Sequence, residues 1–208
     1  MSDSTTGLRI KDVTAFVLAG GQSRRMGQDK ALLCLDGEYL IRRPIRALQA
    51  LIADVRIVGN PERYQDLRLP VIPDCVESAG PLSGIYTALK NCPTSHALVV
   101  ACDMPLIHAE FFRLLLQKPR DADAVVMRFD DGFLEPLCCL YSRRSLGAIE
   151  AALAMGQLKV SDFFECVNAV YVAEKELDDA GLSRKIFSNV NTQEEFQRLM
   201  EEATREQE

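Results

Sequence analysis

Apolar positions fall into short blocks separated by polar and glycine-rich breaks. Val13 to Leu18, in VTAFVLAGG, is an unbroken run, β-branched at Val13, Thr14 and Val17, that stops at two glycines. A run that short and that branched predicts a strand buried on both faces. Leu40, Ile41, Pro44, Ile45, Leu48, Leu51 and Ile52 recur at three- and four-residue spacing, which predicts an amphipathic helix. Further strands are expected over 54–60 (DVRIVGN) and 69–74 (LPVIPD). Gly80-Pro81 opens a helix that reaches about Leu89, because proline suits the first helical position.

HALVVACDMP (96–105) is the clearest strand, uncharged until Asp103, and Pro105 disfavours a helix at Met104. HAEFFRLLLQ (108–117) is an amphipathic helix, while 123–129 and 133–142 read as strands joined in a hairpin across Asp130-Asp131-Gly132. Residues 143–155 and 158–165 read as helices, and 168–174 alternates as a strand does. The last helix runs from Thr192 to Met200, with Thr192 as N-cap and Glu195 at the capping-box position. The charged tail beyond Met200 is expected to fray. Strands alternating with helices predict a mostly parallel sheet covered on both faces, and the hairpin adds an antiparallel member. The reading is one α/β domain over 8–200, with flexible tails at 1–7 and 201–208. Ligands of such sheets sit beyond the carboxyl ends of the strands, here just after Leu18, Gly59, Ile72 and Ala101.

Composition narrows the function classes. With 48% hydrophobic and 26% charged residues among 208, the chain is not disordered, collagenous or a coiled coil. A net charge of −6 disfavours a general nucleic-acid binder. No apolar run approaches the ~20 residues that cross a bilayer, and MSDSTTGLRIKD lacks the apolar core of a signal peptide. A cytoplasmic protein without membrane contact is expected. The seven cysteines form no C-x-x-C pair and several sit in apolar runs, so buried, reduced thiols are expected. His96 and His108 are the only histidines and neither has ligand spacing to a cysteine pair, so no zinc site is expected. No Gly-x-Ser-x-Gly elbow supports serine hydrolase chemistry.

Against this acidic background the segment Leu18 to Lys30 stands out. Arg24, Arg25 and Lys30 bring three positive charges against one carboxylate, Asp29. Gly20, Gly21 and Gly27 let the backbone turn tightly and approach a ligand, and successive N–H groups in such a turn form an anion cradle. A polyphosphate is the natural occupant, although the spacing is neither that of a Walker A loop nor G-x-G-x-x-G. Asp103 directly follows the apolar run of its strand. It is either a loop-capping aspartate or a ligand of Mg²⁺, which takes one or two carboxylates together with substrate phosphates and waters.

The glycine-rich loop resembles the pyrophosphorylase-type signature of nucleotidyltransferases, and the form LAGGQSRRMGQDK is similar to that of the molybdenum cofactor guanylyltransferases. The likeness continues at Asp74, at Gly80-Pro81-Leu82-Ser83-Gly84, at Cys102-Asp103-Met104-Pro105, at Glu135-Pro136-Leu137 and at Asn189-Val190-Asn191-Thr192. It implies a Rossmann-like three-layer αβα sandwich of the nucleotide-diphospho-sugar transferase type. It implies Mg²⁺-dependent transfer of GMP from GTP to the phosphate of molybdopterin, yielding a guanine dinucleotide cofactor and pyrophosphate. On this resemblance Gly20, Gly21 and Lys30 hold the phosphates, and Leu18, Ala19, Asn60, Asp74, Gly80, Pro81, Leu82 and Gly84 bind the rest of the nucleotide. Arg25, Lys30 and Asp103 are the catalytic set, with Arg24 beside them, and Asp103 carries the metal. Asn189 and Asn191 lie near the metal or the acceptor, or else cap a helix. A monomer is implied, meeting cofactor-biosynthesis proteins and molybdoenzyme targets only transiently. The open alternatives are a molybdopterin cytidylyltransferase, a sugar-phosphate nucleotidyltransferase and a non-catalytic GTP-binding module. Cytidylyl relatives read Ala-Ala-Gly where this chain reads Ala19-Gly20-Gly21.

Overall fold

The first apolar run folds as β1 (Val13–Leu18), buried at every position; its one polar side chain, Thr14, has its hydroxyl bonded to Asp54 Oδ2 at 3.3 Å. The computed structural model describes residues 10–20, 29–76, 80–119, 121–156 and 159–205. Gly21, Arg24, Arg25 and Gly27 lie outside the described residues. After the loop come β2 (Cys34–Leu35), β3 (Glu38–Tyr39), α1 (Arg42–Gln49), β4 (Val55–Val58), α2 (Pro61–Tyr64), β5 (Val71–Ile72) and α3 (Pro81–Lys90). Then follow β6 (His96–Ala101), α4 (Ala109–Gln117), β7 (Ala124–Arg128), β8 (Leu134–Ser142), α5 (Leu146–Ala154), α6 (Val160–Phe163), β9 (Ala169–Ala173), α7 (Glu174–Asp179) and α8 (Gln193–Arg205).

Seven strands form one sheet in the order β5-β4-β1-β6-β8-β7-β9. All run parallel except β8, which is antiparallel to both neighbours, as the hairpin pattern predicts. Alternation along the strands sends side chains to two cores. Val13, Ala15, Val17, Leu98 and Val100 meet Ile45 and Leu48 of α1 and Phe111, Phe112 and Leu115 of α4 on one face. Phe16, Leu18, Ala97 and Val99 meet Leu82, Ile85 and Leu89 of α3 and Ile149 of α5 on the other. The result is the three-layer αβα sandwich. From β1 the chain steps outward through β4 and β5, then returns to β6 on the other side of β1. The carboxyl ends of β1 and β6 therefore flank the switch point where such sheets bind ligands.

Several boundaries differ from the sequence expectation. The helical spacing over 40–52 contains a helix only at Arg42–Gln49. Leu40 instead packs with Leu35, Val190 and Phe196 in a small separate core, against the β2–β3 hairpin. Asp36 and Gly37 turn that hairpin with φ of 53° and 77°. The expectation of buried thiols holds for Cys92, Cys102, Cys138 and Cys139 and fails for Cys34, Cys75 and Cys166, which are exposed. Those three sit in the small hairpin and in connections, away from both faces of the main sheet. α8 does not end at Met200 but continues to Arg205, since no glycine or proline interrupts EEATR. Its start follows expectation: Thr192 Oγ1 accepts from Glu195 N, and Glu195 Oε2 accepts from Thr192 N. Among the described residues no helix is long and apolar enough to cross a membrane.

Candidate functional site

At the end of β1, the N–H of Ala19 donates to Val58 O at 2.8 Å, carrying the pairing with β4 one residue further. Tyr64 is buried behind it, with its hydroxyl 2.9 Å from Ala19 O and 2.8 Å from Asp29 Oδ2. One phenol hydroxyl, with a single hydrogen to give, thus stands between the two ends of the glycine-rich loop and donates to one of them at a time. Burial, and next the hydrogen bond with Asp29, push that phenol well above its ordinary pKa and keep it neutral. Gly59 permits the arrangement, because a Cβ there would stand 2.8 Å from the Tyr64 ring. Asp29 also caps the helical turn Lys30–Leu32 by accepting from Ala31 N at 3.1 Å.

That turn aims Lys30 across the switch point. Its Nζ donates to Asp103 Oδ2 and, at 2.9 Å, to Asn191 Oδ1. Asp103 follows β6, whose extension is held to β1 by Cys102 N donating to Leu18 O at 3.0 Å. The second carboxylate oxygen, Asp103 Oδ1, is buried and has no hydrogen-bond partner. Val190 N donates to Asp103 O at 2.9 Å, which brings the Asn189–Thr192 segment to the edge of the site. Asn189 stands exposed one residue before this bond. Asn191 donates its own N–H to Glu195 Oε2 at 2.6 Å, so it joins the start of α8 to Lys30. Among the described residues no three His, Cys, Asp or Glu side chains converge on a common point.

On the other side of β1, Asp74 follows β5 and faces the start of α3. Its Oδ1 accepts from Thr87 Oγ1 at 2.8 Å and from Val76 N at 3.3 Å. Its Oδ2 lies 3.0 Å from Ser83 Oγ, and 3.7 Å from where a Cβ on Gly20 would stand. Gly80 precedes Pro81 with φ of 65°, a left-handed conformation that favours glycine. Gly84 lets α3 lie against β1, since a Cβ there would come within 3.2 Å of Leu18 Cδ1. Leu82 is buried beneath this turn. Asn60 has its side-chain oxygen engaged as the cap of α2, accepting from Glu62 N at 2.8 Å.

A glycine loop whose ends meet at Tyr64, a lysine–carboxylate–amide cluster and a second carboxylate therefore share the carboxyl edge of one sheet. The sequence profile of the MobA-like NTP transferase domain matches residues 15–169, a span that includes all of these except the Asn191 contact. The chain belongs to the MobA-like NTP transferase family. A probable molybdenum cofactor guanylyltransferase of Pelotomaculum thermopropionicum is 42% identical over 180 residues, covering 86% of this chain and 87% of the relative. The molybdenum cofactor guanylyltransferase of Syntrophotalea carbinolica is 35% identical over 192 residues, covering 91% of each. Molybdopterin-guanine dinucleotide biosynthesis protein A of Archaeoglobus fulgidus superposes with a TM-score of 0.79 at 25% identity, over 92% of this chain and 99% of that one.

In this MobA-like domain the sequence reading gave Glu135 no role. The β6–β8 pairing ends with Val100 opposite Cys138, which leaves the start of β8, with Glu135, near enough for the charge of Asp103 to act on it. Glu135 is 5% exposed. Burial, with a further push from the charge of Asp103, raises its carboxyl to about 7, against the pull of a hydrogen bond from Leu137 N. A charged residue inside the apolar run FLEPLCCLY was the available signal. The contact of Tyr64 with Ala19 and Asp29 was also missed, because it joins positions distant in the chain.

Proposed function

We propose that this family member transfers GMP from GTP to the terminal phosphate of molybdopterin, forming the guanine dinucleotide cofactor and pyrophosphate. The observation that carries the reading is the cluster of Lys30, Asp103 and Asn191 at the switch point, in a chain so similar to guanylyltransferases. An oxygen of the acceptor phosphate attacks the α-phosphorus of GTP. A new P–O bond forms, the bond from the α-phosphorus to the bridging oxygen breaks, and its electron pair leaves with pyrophosphate. A phosphate monoester has its second pKa at ~6 and is already largely ionised, so no general base is needed. The work left to the protein is to hold two polyanions together and to stabilise developing charge.

Lys30, steadied by Asp103 and Asn191, supplies a cation at the phosphates, and Gly20, Gly21, Arg24 and Arg25 complete that cradle. The buried, unpartnered Oδ1 of Asp103 fits a Mg²⁺ ligand. One carboxylate is enough, because magnesium fills its shell with phosphate oxygens and waters. The metal, when bound, acts as a Lewis acid on the phosphoryl oxygens. Leu18, Asn60, Asp74 and the turn from Gly80 to Gly84 receive the nucleoside, while Asn189 and Asn191 border the acceptor. The reading is of a cytoplasmic, monomeric enzyme that passes its product on through transient contacts. Incubation with molybdopterin, GTP and Mg²⁺ should release pyrophosphate in step with dinucleotide formation. Preference for CTP would point to a cytidylyltransferase, and GTP binding without pyrophosphate release to a non-catalytic module.

A further inference from the structure

We propose that Thr87 is a positioning residue for base selection, its buried hydroxyl setting the rotation of the Asp74 carboxylate so that Oδ2 faces the base. This rests on the reading above, in which Asp74 lines the guanine pocket. Thr87 lies on α3 and is 0% exposed. Its Oγ1 accepts from Cys75 N at 3.0 Å. A backbone N–H can only donate, so a lone pair of the hydroxyl is used there and its one hydrogen goes to Asp74 Oδ1, at 2.8 Å. Val76 N adds a second donor to the same oxygen at 3.3 Å. Oδ1 is thereby filled from within the protein.

Oδ2 is different. Ser83 Oγ lies 3.0 Å from it but also 2.7 Å from Gly80 O, and a hydroxyl has one hydrogen to give. Ser83 can therefore turn to Gly80 O and leave Oδ2 free on the side of Gly20. An ionised carboxylate only accepts. Guanine offers two adjacent donors on its pairing edge, N1–H and the 2-amino group. Adenine and cytosine place a ring-nitrogen acceptor beside their amino group, and a carboxylate repels it. Receiving two donors on one oxygen demands a fixed carboxylate plane, and Thr87 is the side chain whose hydrogen is committed to fixing it.

The test is equilibrium binding of GTP and ITP, which lacks only the 2-amino group, to the full chain with Mg²⁺. A hydrogen bond to a charged group is worth ~1.5–3 kcal/mol, so wild type should prefer GTP by roughly 10-fold or more. Thr87→Val and Thr87→Ala should reduce that preference to about threefold or less, whereas Thr87→Ser should keep it. A purely structural threonine would lower the melting temperature of Thr87→Val and Thr87→Ala and leave the GTP-to-ITP ratio of the folded protein unchanged. That result, with the ratio lost in Asp74→Asn, overturns the proposal alone. An Asp74→Asn protein with the wild-type ratio, or a wild type without the preference, overturns the pocket reading and this proposal with it.

Discussion

Replacing Asp103 with alanine removes one carboxylate oxygen that is buried without a partner and another that holds Lys30. An unsatisfied buried polar atom costs ~1–3 kcal/mol, and the variant relieves that cost. Against this stands the lost ion pair, whose side chains are 25% and 13% exposed, and Lys30 keeps its bond to Asn191. A part-buried, charge-assisted pair of this kind contributes about 1–3 kcal/mol. The two changes oppose each other to within about 2 kcal/mol, so metal-free Asp103→Ala should melt within about 8 °C of wild type, at ~2–4 °C per kcal/mol for a chain of this size. Activity should behave oppositely. A Lewis-acid metal supplies several kcal/mol at the transition state, and each ~1.4 kcal/mol is tenfold in rate. Pyrophosphate release should fall at least ~100-fold. Thermal melts in a chelator and turnover across a magnesium titration give both quantities. Turnover within about tenfold of wild type with unchanged magnesium dependence refutes the metal role, and a loss of more than about 10 °C makes Asp103 a structural residue.

Lys30→Ala should lower kcat more than it raises KM if its ammonium meets charge that develops in the transition state, and steady-state kinetics at varied GTP separates the two effects. In Gly20→Ala the new methyl lies 3.7 Å from Asp74 Oδ2, an ordinary contact for the protein but one on the side of the carboxylate where the proposed base would lie. Competition between GTP and CTP at equal concentration should therefore show GTP use falling more than CTP use, with the melting temperature unchanged. Burial raises the Glu135 carboxyl from 4.5 to about 7, so the folded protein holds that proton more tightly than the unfolded chain. The stability this contributes is complete below the ordinary value and disappears as pH rises through about 7, a change on the order of 3 kcal/mol. Denaturant unfolding of metal-free Glu135→Gln should show a correspondingly flatter decline between about pH 5 and about pH 8.

Long, uniform runs made the sheet legible. β1 and β6 contain no charged residue, and Asp130-Asp131-Gly132 marks the turn between β7 and β8. Short elements were not legible in the same way. β2 and β3 have two residues each, and periodicity has no meaning over two positions, although Asp36-Gly37 carried a hairpin-turn signal. α7 begins at Glu174 directly after β9, where strand alternation masks the helix start. At the candidate site, Lys30 and Asp103 were legible because glycines and a strand end point to the carboxyl edge, whereas Asp74 was marked only by the family resemblance. Tyr64, Thr87 and Glu135 were not legible, since their roles depend on contacts with partners far along the chain or across a strand pair. Nothing in PERYQDL tells that Tyr64 reaches both Ala19 and Asp29.

The bond from Val190 N to Asp103 O, with the reach of Asn191 to a lysine 161 positions earlier, ties the last part of the chain to the candidate site. The main sheet is already complete at β9, which ends at Ala173. A chain emerging from the ribosome, at ~5–20 residues per second, therefore owns a finished sheet before it owns a finished site. Synthesis and competence are separated in time, and a chain clipped after β9 retains every strand of the sheet while its lysine has lost the amide that steadies it.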